Sequence, residues 1–255
     1  MSTRSTPPTL PSDLEAGLRR LRLGTIRRNA PEVLLTAKTQ RWAPEETLRV
    51  LVDLEIAARD QSNTRTRMTA ARFPVEKTLD QFNLAESSIP KATHDYLITL
   101  DWISRGDNLC LVGPAGTGKT HYLIALGTAA VEAGHRVRYY TAIDLVETLW
   151  RALADNTVGK TIEQVCRNNL IIIDEIGFAP LDHTGCQLLF RLISAAYEKR
   201  SVAIASHSPF EDWGRFLPDQ PTAVSLLDRL CHHAHIITTT GQSYRLTHRS
   251  TGGDT

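Results

Sequence analysis

Apolar and polar positions follow two different rhythms along this chain, and the rhythm changes near residue 73. From Ser12 to Arg72 the spacing is helical: Leu14, Leu18 and Leu21 share one face, with Ser12 placed to cap the segment. Pro31 and Pro44 each suit the first turn of a new helix, and Glu45 and Glu46 lie where the helix dipole favours acids. Leu48, Leu51, Val52 and residues 55–58 continue a long helix predicted to run to Arg72, where Pro74 stops it. Residues 73–93 carry Leu79, Phe82 and Leu84 with little period and read as a linker. Beyond them short β-branched runs alternate with helical stretches. Strands are predicted at 108–112, 137–141, 170–173, 202–206 and 235–239, with helices at 94–104, 119–133, 143–154, 183–198 and 222–230.

Strands separated by helices demand a parallel sheet with both faces covered. The expected fold class is therefore α/β, a parallel five-stranded sheet flanked by helices and preceded by a small helical N-terminal domain. The boundaries follow: a disordered Ser/Thr/Pro-rich tail at 1–11, a helical domain at 12–72, a linker at 73–93, the α/β domain at 94–249 and a short tail at 250–255.

Composition narrows the class. Hydrophobic residues make up 42% and charged residues 22%, as in ordinary globular proteins. No apolar run nears the ~18 residues of a membrane helix, and the N-terminus lacks an apolar signal core, so a cytoplasmic protein without membrane contact is expected. Cys110, Cys166, Cys186 and Cys231 form no C-x-x-C pair and read as free thiols. His232, His233 and His235 cluster, but only Cys231 lies at metal-ligand spacing, and helix-end and strand positions explain them better than zinc. The net charge of +1 conceals an asymmetry: residues 1–72 hold thirteen Lys or Arg against eight Asp or Glu. A basic, arginine-rich front end is compatible with double-stranded DNA, and Arg59, Arg65, Arg67 and Arg72 are the candidate phosphate contacts.

Two motifs carry the chemistry. Gly113, Pro114, Ala115, Gly116, Thr117, Gly118, Lys119 and Thr120 fit G-x-x-x-x-G-K-[ST], a match expected by chance in about one chain in a hundred of this length. A strand precedes it and a helix follows. Glycines let backbone N–H groups curl around phosphate, the helix N-terminus adds positive potential, Lys119 neutralises the β- and γ-phosphates of ATP, and the Thr120 hydroxyl takes a Mg²⁺ position. At residues 170–175 four apolar residues lead into Asp174 and Glu175. An apolar strand ending in Asp delivers a carboxylate beside Mg²⁺, and Glu175 is placed to deprotonate an attacking water. The second acid points to ATP hydrolysis rather than to transfer of phosphate onto a metabolite.

These motifs, in this order, resemble the AAA+ ATPase core, and further segments resemble the IstB-type transposition helpers, which are similar to DnaC-type helicase loaders. The further segments are Arg72-Phe-Pro with residues 77–82, Ser206-His-Ser-Pro-Phe-Glu-Asp-Trp213, Leu227-Asp-Arg-Leu230-Cys-His-His, and Gly241-Gln-Ser-Tyr-Arg245-Leu. The resemblance implies that Arg229 is an arginine finger completing a neighbouring subunit's site, so that the protein works as a homo-oligomer. It places His207 where the family has an Asn that senses the γ-phosphate, with Ser206 beside it, and puts Arg245 near the nucleotide or a neighbour. It also implies a core with no C-terminal lid. The function implied is ATP-dependent assembly on target DNA that recruits or activates a transposase, with hydrolysis driving disassembly. The alternative is a loader of a replicative helicase. A non-hydrolysing scaffold fits poorly with Lys119, Asp174, Glu175 and Arg229 all present.

Overall fold

The computed structural model describes residues 9–241 and 243–244, which divide into two compact units, 1–66 and 67–255. The first unit is helical: α1 (Ser12–Arg20), α2 (Gly24–Gln40) and most of α3 (Pro44–Ala71). Pro44 opens α3 as expected. Pro31 does not open a helix; it lies inside α2, because Ile26, Ala30, Leu34 and Ala37 hold one face through it and Ala30 and Ala37 are buried. Ser12 is the first residue of α1 rather than its cap, which is Pro11.

Glu55 explains how α2 starts. Leu23 precedes the helix and offers no capping side chain. Instead the buried Glu55 carboxylate of α3 accepts the N–H groups of Thr25 at 2.8 Å and Ile26 at 3.0 Å. Arg59 Nε binds the same carboxylate at 3.0 Å, and Arg59 Nη2 reaches the carbonyl of Arg22 at 2.9 Å. The Ile26 N–H above all, with Arg59 and Thr25 beside it, outweighs burial and holds the Glu55 carboxyl below its ordinary range.

The second unit opens at Arg67, inside α3, ahead of the segment expected to be a linker. Residues 73–90 pack rather than wander: two 3-10 turns, Leu79–Gln81 and Leu84–Glu86, set Leu79, Phe82 and Leu84 against one core cluster. The single helix expected at 94–104 is two, α4 (Lys91–Leu97) and α5 (Asp101–Arg105). The chain turns at Leu100, whose φ is 62°, so that Trp102 enters the core and its indole N–H caps the Leu97 carbonyl at 3.1 Å.

Then follow β1 (Asn108–Val112), α6 (Lys119–Glu132), β2 (Val137–Thr141), α7 (Ala142–Ala154), α8 (Val158–Val165), β3 (Leu170–Ile176), α9 (His183–Ala196), β4 (Ser201–Ser206), a 3-10 turn at Phe210–Arg215, α10 (Gln220–Cys231) and β5 (Ala234–Thr238). All strand pairs are parallel, in the order β2-β3-β4-β1-β5. The period of two sorts each strand between two cores. Leu109, Leu111, Leu170 and Ile172 face α6, while Cys110, Ile171 and Ile173 face α7 to α10. The sequence pattern does not foresee α8, whose eight residues bury only Val158, Ile162 and Val165.

Candidate nucleotide site

Strand order builds the site. Because β4 lies between β1 and β3, three carboxyl ends sit side by side: Val112 is level with Ser206, and Ile176 is level with Ser206 on the other flank. The glycine-rich loop at 113–118, the 206–207 turn and the Asp174–Glu175 pair thereby share one edge, spread over two strand spacings, on the order of 10 Å. This is the crevice where parallel sheets hold ligands.

The loop is held from behind. Gly113 N–H donates to the Ser206 carbonyl at 3.1 Å, and Thr239 N–H to the Val112 carbonyl at 2.7 Å. A Cβ on Gly113, whose φ is 148°, would overlap the Thr239 carbonyl oxygen, and one on Gly116, at φ 83°, would overlap the Ser243 hydroxyl. Only glycine fits at either position. Lys119 is buried, and its ammonium donates to the carbonyls of Gly113 and Pro114 at 2.6 Å each, which folds the lysine back along the loop it serves. Thr117 Oγ1 meets Thr239 Oγ1 at 2.8 Å, while Thr120 is exposed at the start of α6. The Phe82 ring lies beside Gly118 and tilts on Tyr122 at 4.9 Å, so the 73–90 segment braces the base of the loop.

Asp174 is 2% exposed and doubly held. Its Oδ1 accepts the Glu175 N–H at 2.8 Å, and its Oδ2 accepts the Tyr139 hydroxyl at 2.9 Å. Burial first, and then the Asp174 charge, pushes the Tyr139 hydroxyl upward, which keeps it a donor. Glu175 itself has φ 59° at a register shift between Ile173 and Ile176 and is exposed. A bulge with a left-handed glutamate swings its side chain out of the strand. Sequence reasoning missed Tyr139, Thr239 and Phe82. The signal available was an aromatic at the inward position of β2, and nothing in the spacing tied it to Asp174.

His207 is exposed, its ring 6.4 Å from that of Phe178. Ser206 is occupied locally: its hydroxyl donates to the Ser208 carbonyl at 2.8 Å and accepts the Ser208 N–H at 3.1 Å. Arg229 is on α10, its guanidinium donating to the Ser225 carbonyl at 3.0 Å and resting over the Phe190 ring at 4.9 Å. The next carbonyl, that of Leu230, is bonded by Asn108 at the first residue of β1. The backbone of α10 at Arg229 therefore lies toward the amino edge of the sheet, away from the loop at the far end of β1, and its guanidinium folds back one turn to Ser225. Among the expected DNA contacts, Arg59 is committed to Glu55 and to the Arg22 carbonyl. Arg65 and Arg72 are exposed and Arg67 half-buried; Arg65 belongs to the first unit, Arg67 and Arg72 to the second. Arg245 and the stretch expected to lack a lid lie outside the described residues, which end at Tyr244. Among the described residues no helix is long and apolar enough to cross a membrane.

The profile of the IstB-like ATP binding protein family matches residues 16–252. An IS21 insertion-sequence ATP-binding protein of Pseudomonas aeruginosa is 35% identical over 242 residues, covering 94% of this chain and 91% of its own length. An IS5376 insertion-sequence ATP-binding protein of Geobacillus stearothermophilus is 34% identical over 211 residues, covering 82% and 84%. In fold alone, the crystal structure of DnaI is similar at a TM-score of 0.54 and 15% identity, covering 65% of this chain and 92% of that one. A P-loop held at the end of β1, carboxylates two strands away and sequence similarity running through both units agree: this chain belongs to the IstB-like ATP-binding protein family.

Proposed function

We propose that the protein is a Mg²⁺-dependent ATPase that assembles on double-stranded DNA, recruits or activates a transposase there, and is released by hydrolysis. One observation carries the catalytic part: the strand order lines up the 113–120 loop, the 206–207 turn and the Asp174–Glu175 pair along one edge. Lys119 exchanges the Gly113 and Pro114 carbonyls for the β- and γ-phosphate oxygens of ATP, and the loop amides at 113–118 take the rest of the charge. The donor set, a hydroxyl at Thr120 and a hydrogen-bonded carboxylate at Asp174, is made of hard oxygens and fits Mg²⁺. When bound there, the ion would neutralise phosphate charge. Glu175 orients the attacking water and takes its proton on a carboxylate oxygen.

Arg229 acts on a neighbour. Its backbone lies toward the amino edge, away from its own chain's loop, and its guanidinium leaves the Ser225 carbonyl and the Phe190 ring to serve a second copy. His207, at the end of β4, carries a ring N–H that can register the γ-phosphate. DNA contact rests on Arg65, Arg67 and Arg72, is made to phosphates, and is salt-sensitive and largely indifferent to sequence. The insertion-sequence relatives favour transposase over helicase as the protein partner.

The test is to image the protein with duplex DNA and a slowly hydrolysed ATP analogue, and to measure turnover with and without DNA. Ordered multimers that need nucleotide, vanish in Lys119→Ala and retain transposase in preference to a replicative helicase are expected. Assembly equally good without nucleotide or in Lys119→Ala would overturn the reading.

A further inference from the structure

Asp228 lies four residues before His232, but the acid that converges with His232 and His233 in the fold is Glu198. Where α9 ends, the chain continues through Tyr197 to Glu198; where α10 ends, it continues to His232 and His233. These two helix ends lie together. One ring nitrogen from each histidine and a carboxylate oxygen of Glu198 fall within 4.8 Å of one another. His233 Nε2 is 3.7 Å from Glu198 Oε1, the two imidazole centroids are 4.1 Å apart, and the Tyr197 hydroxyl meets His232 Nδ1 at 2.8 Å. All three ligand residues are exposed, so an ion can reach them from solvent and a water can complete the shell.

We propose that Glu198, His232 and His233 form a zinc site, with the Tyr197 hydroxyl fixing the His232 ring. Two imidazoles and a carboxylate suit a borderline divalent ion in tetrahedral coordination, and not Mg²⁺, which prefers oxygen alone. The carbonyl ends of α9 and α10 add negative potential that favours a cation. The consequence lies in what the helices carry. Phe190 of α9 supports the Arg229 guanidinium, and Arg229 is three residues before His232. Zinc would tie together the ends of the two helices that aim Arg229.

The test uses tag-free full-length protein without nucleotide, so that it is independent of the ATPase reading. Titration with zinc alone, followed by calorimetry, is expected to give one ion per chain. Glu198→Gln and His233→Ala, both surface changes, are each expected to weaken binding by at least about tenfold, while Cys166→Ser leaves it unchanged. Zinc is also expected to raise the unfolding temperature of the wild type and not of a protein carrying both Glu198→Gln and His233→Ala. No binding at up to about 100 µM zinc, a concentration far above that of a useful structural site, would overturn the proposal. So would wild-type affinity retained by both variants.

Discussion

Asp174 is almost closed to water, and the hydrogen bonds it accepts decide which way its oxygens point. Tyr139→Phe keeps the ring that fills the core and removes only the donor to Oδ2, a bond to a charged group worth about 1.5–3 kcal/mol. The expected result is a wild-type circular dichroism spectrum with turnover lowered about tenfold and a Mg²⁺ dependence moved to higher concentration. An unchanged Mg²⁺ dependence would show that Tyr139 only fills space. Glu175 poses a second question at this scale, since its left-handed backbone at φ 59° costs a non-glycine residue about 1 kcal/mol. Glu175→Gly relieves that cost and Glu175→Gln does not. Both should abolish hydrolysis while ATP still binds, but only the glycine variant should melt at a higher temperature than the wild type. If the two variants melt alike, the backbone there is not strained.

Elements are joined at a few buried polar residues, Asn108 among them. From the first position of β1 it donates Nδ2–H to the Leu230 carbonyl of α10, accepts the Val202 N–H of β4 on Oδ1, and uses its own N–H on the His233 carbonyl. Asn108→Leu leaves two buried backbone groups unpaired, and chemical denaturation should report a loss of about 2–4 kcal/mol. In the first unit Glu55 plays the same part, and its carboxyl titrates below the ordinary range. A depressed carboxylate contributes stability above its unfolded-state pKa and loses it as pH falls through the folded one. The helical signal at 222 nm should therefore fall as acidification passes below the ordinary carboxylate range, and Glu55→Gln should remove the part of that fall that Glu55 contributes. Neither residue announces itself in the sequence. The five strands and most helices were legible because each repeats an apolar period, as was the phosphate loop because glycine and lysine at fixed spacing have one use. Asn108, Glu55 and Tyr139 were not legible because each acts on a partner at least thirty residues away. The packing of the 73–90 segment was not legible for a related reason: its apolar residues pack singly on a core built elsewhere, so no period marks them.

At the scale of the whole molecule the decisive distance is the length of a strand. The glycine-rich loop follows the last residue of β1, and Leu230, next to Arg229, is bonded to the first. A strand of five residues spans roughly 16 Å, more than an arginine side chain reaches, which favours the proposed reading in which Arg229 serves a second copy. The proposed action of Arg229 on a neighbour calls for a head-to-tail contact in which one copy's α10 edge faces the next copy's loop. Two inactive proteins then test it. Arg229→Ala has an intact loop and Glu175 but offers no guanidinium; Glu175→Gln offers the guanidinium but cannot use it. Mixed in equal amounts and assembled at random, a site works only where an Arg229→Ala copy holds the nucleotide and a Glu175→Gln copy stands next to it. Half of the sites meet the first condition and half of those the second, so turnover should recover to roughly a quarter of wild type, against almost none for either variant alone. If Arg229 instead served its own chain, every copy in the mixture would carry one defect in its own site and the mixture would stay dead. A flat mixing curve, with co-assembly verified by differently labelled copies, would therefore return Arg229 to the role its contacts already give it, packing α10 on the Phe190 ring.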